Sequence, residues 1–189
     1  MHLCDFNIIN LRCISHASVE LHKNINLIIG KNGSGKTSFL EGIYLLATGK
    51  NFSTAKRLDL IRDGSHSLGL AGLFVSDCGL ESKIKLEKSS SETSYTFQGQ
   101  SVKKTSEVAA KIPVLVGNSR AADLLTNSPK ARRDLLDRTA FHVEPNFLVV
   151  WQELRKALAH RNNILKSGCS SDQLNYWDKM VSEKSHEMD

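Results

Sequence analysis

The run Gly30-Lys31-Asn32-Gly33-Ser34-Gly35-Lys36-Thr37 decides the fold. It satisfies G-x-x-x-x-G-K-[ST] at every position, the pattern of a loop whose backbone wraps a phosphate. Glycines let the main chain approach closely, so that successive N–H groups point inward. A helix starting at the loop adds the positive end of its dipole. Lys36 supplies a point charge for the β- and γ-phosphates. The Thr37 hydroxyl is the expected ligand of Mg²⁺, with waters and phosphate oxygens completing the octahedron. The flanks fit this reading. Ile25-Asn26-Leu27-Ile28-Ile29 reads as a strand covered on both faces. Phe39, Leu40, Ile43, Leu46 and Ala47 recur at helical spacing and predict one buried face, with Gly49 as the stop. Residues 30–37 are therefore expected to hold a nucleoside triphosphate and its magnesium.

Outward from the loop, Phe6 to Leu11 and Ala17 to Leu21 read as short strands. Leu68 to Val75, Lys83 to Lys88 and Ser94 to Phe97 predict an antiparallel meander, turning at Asp77-Cys78-Gly79 and Ser89-Ser90-Ser91. Pro113-Val114-Leu115-Val116 reads as another buried strand. After Gly117 the pattern becomes helical. Ser128-Pro129 is an N-cap followed by Pro at the first helical position. Pro145 opens a second helix with Phe147, Leu148, Trp151, Leu154, Leu158 and Leu165 on one stripe, and Gly168 closes it. Asp172 caps a third helix, with Leu174, Trp177 and Val181 inward. The fold class is α/β, a P-loop NTPase with a β-meander. A boundary near residue 118 divides a nucleotide-binding lobe, 1–118, from a helical lobe, 119–189.

Binding a triphosphate is not hydrolysing it, which also needs an acid for the metal and a group that positions water. Leu73-Phe74-Val75-Ser76-Asp77 offers one acid and sits in the meander, and Leu135-Leu136-Asp137 lies on a helix. D-x-x-G and N-K-x-D, which a GTPase needs, do not occur. Tyr95-Thr96-Phe97-Gln98-Gly99-Gln100-Ser101 is only faintly similar to the L-S-G-G-Q signature of ABC-type ATPases and reads as a hairpin turn. No catalytic residue is therefore assigned.

Composition narrows the class. The chain has 189 residues, 40% hydrophobic and 24% charged, which suffices for a core without disulfide or metal staples. It shows no apolar run long enough to span a membrane and no secretory leader pattern. Cys4, Cys13, Cys78 and Cys169 are scattered without zinc-ligand spacing and read as reduced thiols of a cytoplasmic protein. The net charge of +5 favours an anionic partner. Nine basic residues against five acids lie between Arg120 and Lys166, whereas the segment after Lys166 is acidic.

Four ordered blocks resemble the bacterial RecF family. Gly33-Ser34-Gly35-Lys36-Thr37-Ser38-Phe39-Leu40-Glu41-Gly42-Ile43-Tyr44 is similar to its N-G-S-G-K-T-x-x-L-E-A-I-Y run, and Asn10-Leu11-Arg12 to its F-R-N strand end. Pro129 to Asp137 resembles its P-x-x-R-R-x-F-L-D helix. Phe141-His142-Val143-Glu144-Pro145 resembles its F-H-x-E-P, followed by Arg161-Asn162 and Tyr176-Trp177-Asp178. The resemblance implies an ABC-type ATPase head related to SMC proteins, with ATP as the nucleotide and a helical second lobe. It implies ATP-dependent binding to single-stranded or gapped DNA, and head-to-head homodimers. It also implies cooperation with RecO and RecR in loading RecA during replication-gap repair and the SOS response to DNA damage, with slow hydrolysis as a timer. The sequence departs from the pattern at four places. Family chains continue into an L-S-x-G-Q signature and a D-D strand, so this chain is expected to be a fragment, inactive alone. Asn118-Ser119-Arg120 replaces a Pro-Glu pair, Asn51-Phe52-Ser53 replaces S-F-R, and Asn127 stands where Gly is common.

Arg132, Arg133, Arg138, Arg155, Lys156 and Arg161 offer a track for a phosphate backbone. The alternative is a solvated face with Lys130–Asp134 and Arg133–Asp137 pairs at i, i+4. Trp151, Trp177 and Tyr176 offer stacking platforms, although Trp151 lies on the apolar stripe. Arg12 reads equally as a phosphate contact or an ordinary surface residue. Two rival functions use the same loop. One is a self-contained small-molecule kinase, with Arg132 and Arg133 clamping a phosphoryl group. The other is a non-catalytic adaptor docking partners through its helical lobe.

Overall fold

A computed structural model describes residues 1–51, 60–117, 129–167 and 171–188, with the side chains of 130, 131, 171 and 172 excepted. The chain divides into two compact units, Met1–Gly117 and Asn118–Asp189.

The first unit is a six-stranded antiparallel sheet with a helix across one face. Its strands are β1 (His2–Leu11), β2 (Ile14–Glu20), β3 (Ser67–Val75), β4 (Glu81–Ser89), β5 (Thr93–Phe97) and β6 (Gln100–Val102), in the order β2-β1-β3-β4-β5-β6. Helix α1 is Lys36–Thr48, and a short α2 spans Thr105–Lys111. Register aligns one row of side chains across the whole sheet: Ala17, Ile8, Leu70, Leu86, Tyr95 and Val102. Strict alternation along β3 and β4 sends this row and its neighbours Phe6, Leu68, Phe74 and Ile84 to the same side. There they pack with Phe39, Leu45, Leu46 and Ala47 of α1. Phe6 and Phe39 meet edge to face, with ring centroids 5.3 Å apart.

The meander follows the expected strands, and the Tyr95–Ser101 segment is the expected hairpin. Its turn uses Gln98 at φ 51° and Gly99 at φ 79°, the left-handed pair that matches strand twist. Gly49 ends α1 at φ 69°, donating its N–H to the Leu45 carbonyl at 2.8 Å.

Three expectations fail in this unit. Residues 25–29 form no strand, and Ile25, Leu27 and Ile29 are 82%, 80% and 81% exposed. An apolar run states that a segment needs cover, but a strand exists only where a neighbour supplies the ladder, and none of the described residues pairs with it. Pro113–Val116 is likewise not a strand. Val114 packs on the core and Leu115 is exposed. On α1, Leu40 faces outward while Tyr44 and Leu45 are buried. The sheet covers a broader arc of the helix than the predicted stripe.

The second unit contains α3 (Pro129–Val143), α4 (Phe147–Ser167) and α5 (Ser171–His186). Pro129 opens α3 as expected. Pro145 sits in the turn before α4 rather than in it, because residues 144–146 close the link from α3. The buried stripe of α4 carries Trp151, Leu154, Ala157, Leu158, Arg161 and Ile164, and Leu165 is exposed instead. Leu174, Trp177 and Val181 are half-buried on α5, and His160 of α4 stacks on Trp177 at 4.5 Å. Ser128 and Gly168 lie outside the described residues, as does the side chain of Asp172, which is within α5 rather than before it.

Candidate nucleotide site

The Gly30–Thr37 run forms an exposed loop that ends in the first turn of α1. Gly33 and Gly35 adopt φ 80° and 95°, left-handed conformations that any Cβ would strain. Ser34 N–H donates to the Lys31 carbonyl at 3.2 Å, which curls the loop. A Cβ on Gly30 would stand 2.6 Å from Ser34 Oγ, and the hydroxyl would have to turn away. Gly35 is the N-cap, and its carbonyl accepts the Phe39 N–H at 2.8 Å as the first helical bond. The N–H groups of Lys36, Thr37 and Ser38 precede that bond and are left for an anion at the helix start.

Lys36 Nζ donates to the Gly30 carbonyl at 2.7 Å and the Lys31 carbonyl at 2.8 Å. Two of its three protons thus fasten the ammonium to the loop, and the third is available to a phosphate oxygen. Asn32 and Thr37 are exposed. Among the described residues no group of three or more His, Cys, Asp or Glu gathers as a metal cage. A cation here would draw on Thr37, the triphosphate and water, which is how magnesium is ordinarily held.

Both acids considered for the metal have other partners. Asp77 lies in the β3–β4 turn and accepts from the N-terminal ammonium at 3.1 Å, which holds its carboxyl below the usual range. Asp137 accepts from the Trp151 indole N–H at 3.1 Å in the other unit.

Arg12 is neither free on the surface nor aimed only at the loop. It reaches Glu41 of α1, with Nη2 2.7 Å from Oε2, and Glu41 is fully buried. Sequence reasoning missed this pair. The available signal was an acid inside an apolar helical stripe, which demands a cationic partner.

The basic residues of the helical unit have separate fates. Arg132, Arg133, Arg155 and Lys156 are exposed and Arg161 is half-buried. The Arg155 guanidinium lies 4.6 Å above the Trp151 ring, and Arg161 pairs with Asp178 across α4 and α5. The expected Arg133–Asp137 pair does not form, and Lys130 lies outside the described side chains. Tyr176 is exposed, with its ring 5.2 Å from Trp177. Residues 52–53, 118–120 and 127, where the sequence departs from the RecF pattern, also lie outside the described residues.

The family model for the AAA ATPase domain matches residues 1–114, which carry the loop, α1 and the whole sheet. The chain belongs to that family. Its RecF resemblance also holds. It is 38% identical over 180 residues to the DNA replication and repair protein RecF of Shewanella oneidensis, covering 95% of this chain and 50% of the relative. It is 32% identical over 187 residues to RecF of Hydrogenovibrio crunogenus, covering 99% and 51%. The chain therefore spans about half the length of these relatives. The solved structure of the recombination mediator protein RecF-ATP in the RecFOR pathway superimposes with a TM-score of 0.87 at 24% identity, covering 99% of this chain and 52% of that one. An SMC ATPase from a study of ATP-driven dimerization superimposes at 0.60 and 18% identity, over 74% of this chain. The fold of this AAA ATPase chain is thus the α/β P-loop fold of RecF and SMC ATPase heads. Among the described residues no helix is long and apolar enough to cross a membrane.

Proposed function

We propose that residues 30–37 bind ATP with Mg²⁺, and that the chain serves as the nucleotide-binding part of a RecF-type DNA replication and repair protein. One observation carries this reading: a complete phosphate loop opens onto a helix start, with Lys36 fastened across its mouth. Thr37 is the metal ligand and the amides of Gly33 to Thr37 receive the phosphates. Residues 1–118 act as the nucleotide-binding lobe and 119–189 as the helical lobe. By its likeness to RecF proteins the whole protein works in the cytoplasm. There it binds single-stranded or gapped DNA as an ATP-dependent homodimer, with RecO and RecR as partners in loading RecA. The small-molecule kinase and adaptor readings lose ground to a RecF likeness that extends over 95% of the chain.

The test is Mg-ATP affinity of the wild type and Lys36→Ala. The loss of a charge-assisted phosphate contact is expected to weaken binding by about tenfold or more. Equal affinities overturn the reading. Of the DNA candidates, Arg133 and Lys156 are exposed and make no ion pair or ring contact among the described residues. Lys156→Gln is expected to lower the salt dependence of DNA binding by roughly one released counterion. Arg161→Gln acts first on the Asp178 link between α4 and α5. An unchanged salt slope in Lys156→Gln removes that residue from the DNA track.

A further inference from the structure

We infer that Arg12 and Glu41 are positioning residues for the phosphate loop: their ion pair holds the β1–β2 turn against Gly35 and so fixes the amides that receive the triphosphate. The inference rests on the nucleotide reading above and adds to it two residues outside the loop. Glu41 is fully buried on α1, six residues beyond the N-cap Gly35, and Arg12 Nη2 stands 2.7 Å from its Oε2. A buried ion pair is weak evidence for stability, because apolar residues of the same volume often serve as well. What this pair does is join two pieces of backbone at one point.

The turn it anchors is strained. Asn10 and Arg12 adopt φ 56° and 50°, left-handed values that Asn tolerates and Arg avoids. Three bonds hold the turn there. Arg12 N–H donates to the Leu60 carbonyl at 2.8 Å, and Arg62 N–H to Asn10 at 2.9 Å. The Arg62 guanidinium donates to the Cys13 carbonyl at 2.8 Å. The next residues form a wall against the loop. Cys13 Sγ and Ile14 Cγ1 lie 3.1 and 3.2 Å from where a Cβ on Gly35 would stand. Gly35 has φ 95° and sets the direction of the first helical amides.

A continuous path thus runs from the buried carboxylate through the guanidinium and the strained turn to the N-cap. Glu41 is fully buried and has no route of its own to a nucleotide at the exposed loop. Any effect of Glu41 on nucleotide affinity must travel through packing and backbone position, and constellations held loosely by their supporting residues lose affinity.

The experiment is a double-mutant cycle on the full chain with Arg12→Ala, Glu41→Gln and the double variant, reading Mg-ATP affinity and thermal midpoint in parallel. Each single change is expected to weaken Mg-ATP binding about tenfold, and the double variant no more than the worse single, because both cut the same link. If Glu41→Gln does not fold, Glu41→Asp and Arg12→Lys keep both charges but change their reach, and the same non-additive loss is expected. A folded Glu41 variant with wild-type affinity and only a lowered midpoint overturns the proposal, because the pair is then purely structural. Multiplying losses in the double variant overturn it too, because Arg12 then meets the nucleotide directly. Lys36→Ala separates the two levels: if it binds like the wild type, the nucleotide reading itself has failed and this one falls with it.

Discussion

The Tyr95 hydroxyl donates to the Leu45 carbonyl at 2.9 Å, pinning β5 to the last turn of α1. The same carbonyl accepts the Gly49 N–H, so helix end and sheet share one acceptor. Removing the hydroxyl leaves the carbonyl satisfied and costs only the net value of one bond. Tyr95→Phe is expected to destabilise the first unit by about 1 kcal/mol in denaturant unfolding. Burial also pushes the Tyr95 phenol well above its ordinary value. Its neutral form is favoured in the folded state, so this contribution is full below pH ~10 and is lost as pH rises beyond it, when the unfolded chain ionises first. Tyr95→Phe is expected to flatten the alkaline fall in stability, and an unchanged alkaline limb excludes Tyr95 as its source.

Gly42 sits where the similar RecF run carries Ala. In this chain a Cβ there would come 2.9 Å from Leu11 Cδ2 and 3.1 Å from Phe6 Cζ, both on fully buried side chains. Helix propensity favours Ala by roughly 1 kcal/mol. Overpacking a tight core costs about 1–3 kcal/mol. The second effect wins, and Gly42→Ala is expected to lower the thermal midpoint by a few degrees. A raised midpoint shows that Leu11 and Phe6 can give way.

Leu27 is 80% exposed, as are Ile25 and Ile29 two positions to either side, whereas Ile28 packs against the core. The Leu27 side chain has little apolar contact to lose on truncation. Leu27→Thr is expected to change unfolding free energy by less than about 0.5 kcal/mol, while reducing binding of an apolar dye such as ANS. A large loss of stability shows that residues 25–29 are covered in solution.

Cys78 is exposed in the β3–β4 turn, with its sulfur 3.0 Å from Ser76 Oγ. That hydroxyl and the Leu80 backbone N–H favour the thiolate and lower its pKa. More thiolate at neutral pH means faster alkylation. Cys78 is expected to react with iodoacetamide ahead of Cys4 and Cys13 in peptide mass mapping, and Ser76→Ala is expected to slow it several-fold. Uniform rates across the three thiols contradict this.

The local grammar of the chain is legible in its residues alone. Eight residues from Gly30 to Thr37 gave the loop, Gly49 gave the stop of α1, and the period-two pattern from Leu68 to Phe97 gave the meander. These features depend on backbone geometry and alternation within a few residues, which sequence records directly. The hairpin at Gln98-Gly99 belongs with them, because its left-handed pair is a local demand.

Cover and partnership depend instead on long-range packing. The apolar composition of residues 25–29 was plain, but whether a strand lay alongside was not, and none of the described residues does. Leu40 and Leu45 are equally apolar, yet the sheet buries only the second, since the width of its contact is a property of packing. Arg12 and Glu41 are 29 positions apart and meet because β1 and α1 are stacked. Periodicity reports what a segment requires of its surroundings, whereas the identity of those surroundings is set by long-range contacts that no local pattern encodes.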